Sequence, residues 1–336
     1  MLATNLIDTI ESIADPGLSA HWDNSGIQVA GSKDEIRKIA ITLDPTLENI
    51  NTALDRDADF ILTHHPLTIS PKYPNKRDKY NKILELLLKE GSWLYSAHTS
   101  LDVQTTGPVS WLAEKLELEH IQAVWPISPM AEIKLEINIS DKEEMEQLIP
   151  YIRHTHPRVV IVPSDSENLF LYCKQEERNS LLHTLTNQSS PLEIESKEVY
   201  NLKHPCGYGI IGEFPQAIPG TKFLRTLDNI LDRPLWKQVG KQPETIQKVS
   251  YCPGSGMDIA PQAFSLGAEI FISGDLKFHQ AQELEALGQT IDVGHFVLEE
   301  KMMEHCYKDL KYKLEAENIQ LTFIAGKNPL QEKTVQ

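Results

Sequence analysis

The sequence predicts an α/β protein: two α/β halves with a smaller β-α-β-β-α-β unit inserted between them. Three observations carry this reading. Short apolar runs alternate with amphipathic helical segments in both outer parts of the chain, the pattern of largely parallel sheets covered by helices. From about 131 to 205 the pattern changes character, to period-two strands separated by polar helices. Finally, several apolar runs in both outer parts end in histidine or aspartate, so polar groups gather where strands stop.

In order, MLATNLIDTIESIAD sets Leu6, Ile7, Ile10 and Ile13 at helical spacing, as an amphipathic helix requires. GIQVAG and IRKIAITLD read as strands, PTLENINTALDRDA as a helix, and DFILTHH as a short buried strand. DKYNKILELLLKEGS is a helix stopped by glycine, and WLYSAH is a strand. The insert runs EIKLEINIS, helix DKEEMEQLIPYIRHT opened by Ser140 or Asp141, RVVIVP, NLFLYCKQ, helix EERNSLLHTLTNQ, and PLEIESKEVYNL. That order is ferredoxin-like. Pro126 and Pro129 before it and His204-Pro205-Cys206-Gly207 after it mark boundaries, which divides the chain into 1–125, 126–206 and 207–336. Beyond 207, GYGIIGEF, WKQVG, QKVSYC, AEIFISGD and QTIDVGH are strands. TKFLRTLDNIL, DIAPQAFSLG, LKFHQAQELEALG and FVLEEKMMEHCYKDLKYKLEAE are helices, and NIQLTFI closes the sheet.

The 48 acidic residues against 32 basic ones give a net charge of −16. Such a surface repels phosphate backbones, so nucleic acid is not expected as a general partner. Small anionic substrates stay open to it, because bound cations reverse the local field. Cys173, Cys206, Cys252 and Cys306 have no CxxC spacing, which favours reduced, buried thiols over a disulfide framework or zinc ribbon. The first segment lacks a basic region followed by an apolar run, so it is not a signal peptide. No stretch reaches the ~20 apolar residues that span a bilayer. A cytoplasmic protein without membrane contact is the expectation.

The chemistry is written at four strand ends: FILTHHP at 60–66, LYSAHTSLD at 94–102, FISGDLKFH at 271–279 and IDVGHFVLEE at 291–300. Ligands of open α/β sheets bind beyond the carboxyl ends of strands, where these residues can converge. A turn forced by Pro66 lets His64 and His65 reach one site. His295 and Glu299, four apart at a helix start, share a face and can address one cation. Imidazole and carboxylate together suit Zn²⁺, Mn²⁺, Fe²⁺ or Co²⁺ without selecting among them. Each group also has a plain structural reading: Asp102 as the cap of the following turn, Asp275 as the cap of a helix beginning at Leu276, His295 with Glu299 as a helix-surface pair. His98 reads equally as a hydrogen-bonding support or as a proton shuttle. Asp44, before Pro45, is a candidate to hold a ligand from behind. His279 is weakly placed, and His120, His154, His156, His183, His204 and His305 have no supporting context.

These segments resemble the GTP cyclohydrolase 1 type 2 homologue family, the Nif-three-like proteins. The matching blocks are WDNSGIQVAG at 22–31, ITLDPT at 41–46, ILTHHPL at 61–67, SAHTSLD at 96–102, GYGIIGEF at 207–214, SGDLKFH at 273–279 and DVGHFVLEE at 292–300. They cover nearly the whole chain outside 131–205. The resemblance implies two α/β domains with a dinuclear metal site between them, and in the long members a PII- or CutA-like insert at this place. Carried over residue by residue, it puts the ligands on His64, His65, Asp102, His295 and Glu299, with two divalent ions per chain. It also implies a toroidal homohexamer. One departure is visible: after GSG the chain reads MDI, with Met257 and Asp258 where small residues are expected, which falls in the substrate-side loop.

The function so implied is a metal-dependent hydrolase acting on a small molecule, nucleotide-like, phosphorylated or heterocyclic. In that reading Glu299 is the bridging carboxylate, with Asp102 as the alternative, and His98 carries the proton. The rival is a metal store, metallochaperone or sensor in which the insert is a regulatory module.

Overall fold

The computed structural model describes residues 1–127, 133–139, 142–156, 159–163, 168–173, 175–187, 192–198, 206–232 and 236–330. The chain begins with α1 (Ala3–Glu11), β1 (Gly26–Val29), β2 (Lys38–Thr42), α2 (Leu47–Asp55), β3 (Phe60–Thr63), α3 (Lys79–Glu90), β4 (Trp93–Ser96), α4 (Thr99–Asp102), α5 (Trp111–Lys115) and β5 (Glu119–Pro126). The middle holds β6 (Ile133–Asn138), α6 (Lys142–Thr155), β7 (Val160–Pro163), β8 (Asn168–Cys173), α7 (Gln175–Thr186) and β9 (Glu193–Glu198). The last part holds β10 (Gly207–Pro219), α8 (Gly220–Leu231), β11 (Lys237–Val239), β12 (Thr245–Tyr251), α9 (Ala260–Ser265), β13 (Ile270–Ser273), α10 (Phe278–Leu284), β14 (Gln289–Asp292), α11 (His295–Lys313) and β15 (Gln320–Phe323).

Three sheets result. The first, β1-β4-β3-β2-β15, is parallel except for β1, and the second, β11-β14-β13-β12-β10-β5, is parallel only across β12-β13-β14. Phe60–Thr63 and Ile270–Ser273 are buried at every position, as expected of central parallel strands covered on both faces. Thr46 and Asp78 open α2 and α3 by accepting from the backbone N–H groups of Asn49 and Asn81, the usual N-cap arrangement.

One hydrophobic core serves both halves. Leu6 and Ile10 of α1, Ile39, Phe60 and Tyr95 of the first sheet, and Val249, Tyr251, Ile270 and Ile291 of the second join one cluster with Leu298, Met302, Met303 and Cys306 of α11. Each such side chain contributes about 1.5–3 kcal/mol on burial, so the long helix cannot leave either sheet cheaply. The Tyr251 hydroxyl donates to the Val109 carbonyl at 2.8 Å, tying second-sheet to first-half residues inside this core. Cys173, Cys206, Cys252 and Cys306 are all buried free thiols. No helix among the described residues is long and apolar enough to cross a membrane.

Two strands differ from the sequence reading. NIQLTFI, assigned by chain order to the second half, forms β15 and pairs in parallel with β2 of the first sheet. Residues 119–126 form β5 on the edge of the second sheet, antiparallel to β10. Edge strands carry weak patterns, here one fully buried position in eight, and nothing in such a pattern states which sheet it joins.

The third sheet is antiparallel, in the order β7-β8-β6-β9, with α6 and α7 in the two crossovers and its own core of Leu135, Ile137, Leu148, Ile152, Leu169, Leu171 and Leu181. The chain leaves the second sheet at Pro126 and rejoins it at Gly207, its register partner. Arg153 of α6 reaches Asp8 at 3.1 Å and Glu11 at 3.2 Å on α1. Pro129, Ser140, Asp141, His204 and Pro205, singled out in the sequence, lie outside the described residues.

Candidate metal centre

Four strand ends deliver the site. β3 stops at Thr63, and the N–H groups of His64 and His65 both donate to the Leu43 carbonyl at 3.1 Å. Ser96 donates to the His64 carbonyl at 2.6 Å and Thr63 to the His65 carbonyl at 2.8 Å. With the backbone clamped on both sides, the two rings sit 5.0 Å apart and tilted by 58°. They serve one place, which adjacent strand residues do not normally do.

His98 follows β4, and its ring lies 5.0 Å from that of His64 and 5.5 Å from that of His65. Asp102 ends the single turn of α4 and is not used as a cap. Its Oδ1 is buried without a hydrogen-bond partner, 3.7 Å from His64 Nε2. Burial raises this carboxyl to about 6, the His64 imidazole opposing and the Glu299 charge adding. His295 opens α11, and Glu299 one turn on is 4% exposed. Glu299 Oε1 faces His64 Nε2 at 3.6 Å, while Oε2 faces His65 Nε2 at 3.3 Å and His295 Nε2 at 3.1 Å. Burial alone would raise its pKa, but the imidazoles of His295, His64 and His65 hold it well below the carboxylate range. All five candidate ligands and His98 therefore meet in one cluster.

Behind each imidazole stands an acceptor. His64 Nδ1 lies 3.0 Å from the Ala97 carbonyl, His65 Nδ1 2.8 Å from Asp44, His98 Nδ1 2.7 Å from Asp23, and His295 Nδ1 2.7 Å from Asp275. A carbonyl only accepts, so His64 carries its proton on Nδ1 and, when neutral, turns the Nε2 lone pair toward carboxylate oxygens. Lone pair against carboxylate is repulsive unless a cation lies between. The buried His64 Nε2, Asp102 Oδ1 and Glu299 Oε2 all lack hydrogen-bond partners, a costly arrangement that a divalent ion relieves. One nitrogen each from His64, His65 and His98 lie within 4.8 Å of one another, and so do atoms of His65, His295 and Glu299. The residues present fit a metal.

The carboxylates of the cluster also favour protons on its rings. Burial opposes a proton on His65, but Asp44 and Glu299 raise its pKa to about 10. Glu299 foremost, with Asp275, raises that of His295 to about 9 against burial.

The sequence reading placed Asp44 behind a ligand, and it stands behind His65. Asp275 does not cap the helix: its carboxylate turns to His295, and Asp292 accepts from Leu276 N at 3.2 Å and Gly294 N at 2.9 Å. Asp275 holds φ +60° to do so, a left-handed backbone that costs energy for a residue with a Cβ and is kept at functional places. Asp23 was missed, although it lies inside the WDNSGIQVAG block. It takes hydrogen bonds from His98, Thr99 and Ser25, which outweigh burial and hold it well below the carboxylate range. Tyr208 was missed as well: its hydroxyl is buried without a partner, and burial, with Asp102 and Asp23 adding, pushes it up to about 12. His279 is exposed, with Nδ1 3.3 Å from Gln282 and its ring edge-on to Phe278 at 5.5 Å. Met257 fills an apolar cluster with Val124, Cys252 and Phe271, and Asp258 accepts from Gln280 at 2.7 Å. The MDI departure thus leaves the imidazole cluster untouched.

Replacing the support while keeping the ligand gives a first prediction. Asp275→Asn keeps the shape behind His295 but removes the charge that favours Nδ1–H. We expect metal affinity about 10–100-fold weaker, read by titration with a competing chelator. Unchanged affinity would mean Asp275 serves the backbone only.

Comparison with known proteins adds the family context. The family model described as Duf34/NIF3 (NGG1p interacting factor 3) matches residues 1–329. A Listeria innocua protein called GTP cyclohydrolase 1 type 2 homolog is 26% identical, covering 89% of each chain. One of the same name from Halalkalibacterium halodurans is 23% identical, covering 92% of each. Among solved structures, a Bacillus cereus protein related to NIF3 superposes with TM-score 0.73 at 22% identity over 99% of each chain. A Staphylococcus aureus protein does so with TM-score 0.73 at 21% identity, also over 99% of each.

Proposed function

The chain belongs to the Duf34/NIF3 family, and we propose that it binds two divalent cations and hydrolyses a small nucleotide-like, phosphorylated or heterocyclic substrate. The observation that carries this is the set of imidazoles each held at Nδ1 from outside, around a buried carboxylate whose two oxygens face different rings. His64, Asp102 and Glu299 Oε1 would hold one cation, and His65, His295 and Glu299 Oε2 the other. Such a pair supplies Lewis acidity and makes water more acidic.

The other residues act around that pair. Asp23 fixes the ring of His98 by facing its Nδ1 at 2.7 Å, which leaves Nε2 free to carry a proton between the reacting centre and solvent. Trp22, 52% exposed, meets the His98 ring edge-on at 5.8 Å. It gives a heteroaromatic ring a surface on which to stack. Relatives bearing the GTP cyclohydrolase 1 type 2 homolog name make nucleotides the first substrates to try.

The test is a panel of nucleotides and phosphoesters, each with added Mn²⁺, Zn²⁺ or Fe²⁺, on the parent chain and on His98→Gln. We expect turnover by the parent, and in His98→Gln a fall of 10²–10⁴-fold, the range of general acid–base catalysis, with metal content unchanged. Loss of metal from His98→Gln would make it a ligand instead. Metal binding with no turnover of any substrate above that of a His64→Ala, Glu299→Ala variant would favour the storage or sensing role.

A further inference from the structure

The insert meets the first half at a seam that the proposed metal chemistry does not use. The chain leaves the second sheet at Pro126 and returns at its register partner Gly207, so one strand pair tethers the unit. Beyond that tether, two patches of the described residues hold it in place. Phe170 and Tyr172 alternate along β8 with Leu169 and Leu171, which serve the insert's own core, and so face the other way. They pack with Leu18, Val103 and Cys206. At the second patch Arg153 of α6 reaches α1, 3.1 Å from Asp8 and 3.2 Å from Glu11.

The charges of this second patch do not balance. Facing Glu11 are Asp8 from its own helix, Asp15 beyond it, Tyr95 from β4 and Arg153 from the insert. Three carboxylates thus share one guanidinium. The Glu11 side chain is only 10% exposed, and the buried Tyr95 hydroxyl donates to it at 3.1 Å. Arg153 Nε is itself buried with no hydrogen-bond partner. Closing the seam takes water from carboxylates that a single cation does not neutralise, which disfavours their charged forms. A proton makes up the deficit. Burial foremost raises Glu11 to about 7, with Arg153 and the Tyr95 hydroxyl opposing. Burial also raises Asp8 and Asp15.

We propose that the insert is clamped to the first half by a proton shared among Asp8, Glu11 and Asp15, so that the seam is tight in acid and loosens above neutrality. The proton comes from solvent and returns to it when the seam opens. A carboxyl whose pKa is raised by closure favours closure below that value, and the contribution is lost as pH climbs through it. The seam also borders α4: Val103 directly follows Asp102, and Leu18 leads into Ala20, whose N–H donates to Thr99 at 2.9 Å. The clamp therefore bears on how firmly α4 is held.

Cys206 supplies the probe, a native thiol buried beside Tyr172 in the apolar patch. The full-length chain is pulsed with N-ethylmaleimide, which takes the thiolate, from about pH 6 to about pH 8.5. Mass spectrometry reads the modification of each cysteine. Dividing each rate by that of the urea-unfolded chain at the same pH removes the titration of the thiol and leaves an opening constant. We expect the constant at Cys206 to stay level below neutrality and to rise about tenfold per pH unit above it, the effect of one proton released. Cys173, Cys252 and Cys306, buried in other clusters, should not follow. In Glu11→Gln, which removes the titrating charge, the rise should vanish. In Arg153→Gln, which leaves the carboxylates without their cation, opening at about pH 8 should increase at least about tenfold. A constant at Cys206 that ignores pH in the parent chain overturns the proposal. So does a rise shared by all four cysteines, or one that persists unchanged in Glu11→Gln.

Discussion

Glu299→Gln is expected to reduce bound metal from two ions per chain to near none. Glutamine keeps the size of the side chain but removes the charge on which three imidazoles converge at 3.1–3.6 Å. It also turns an amide N–H₂ toward one of them. Because one carboxylate serves both proposed cations, neither is retained by the remaining ligands alone. The control is the next residue. Glu300 is also buried, but its carboxylate accepts from Gly326 N at 2.7 Å, so Glu300→Gln keeps the metal. Elemental analysis of protein purified without a histidine tag, never exposed to chelator, reads both. A Glu299→Gln chain that still carries two ions removes Glu299 from the site.

The same chain makes a pH statement. Metal-free, His65 and His295 keep their protons to about 10 and about 9, and a ligand must lose its proton to bind a cation. Metal uptake therefore releases protons, and affinity rises with pH across the neutral range and falls as pH drops.

The second large effect needs no charge. Gly274 packs so closely that a Cβ there would stand 2.4 Å from His295 N and 2.7 Å from the Gly294 carbonyl carbon. Both are backbone atoms at the start of α11, so no flexible side chain can move aside. We expect Gly274→Ala to cost about 3 kcal/mol, the upper end for overpacking, and to lower the melting temperature by several degrees. Because the displaced atoms carry His295, metal affinity should fall with it. Gly254 is the natural comparison: with φ +64° and a Cβ position 2.3 Å from Glu299 Oε1, its alanine variant strikes a proposed ligand directly. A Gly274→Ala protein that melts with the parent would show that α11 shifts without penalty.

How far the sequence reached depends on where each signal lives. The double histidine before Pro66, and His295 with Glu299 one turn apart, are local patterns, and the structure brings them together. The order of elements was legible for the same reason, since alternation of apolar runs and helices needs no partner to be seen. Asp23 was not legible as a partner of His98: it is 75 residues away and looks like any loop aspartate. Asp275 was read as a helix cap because an aspartate just before a helical segment fits that role locally, and its partner His295 is 20 residues away. β15 was misplaced because a four-residue strand states its pattern but not its neighbour. Asp8 and Arg153 were invisible as a pair, being 145 residues apart and joined only through the packing of two helices.

The position of β15 bears on how the protein is made. Synthesis makes β2 long before β15, yet the sheet that holds β2 receives Gln320–Phe323 beside it. While the ribosome is still translating the insert and the second half, β2 presents an open hydrogen-bonding edge, a template for unwanted pairing. The helix bearing His295 and Glu299 emerges just before that strand. A nascent chain can thus hold His64, His65 and Asp102 long before it has the residues that complete the cluster.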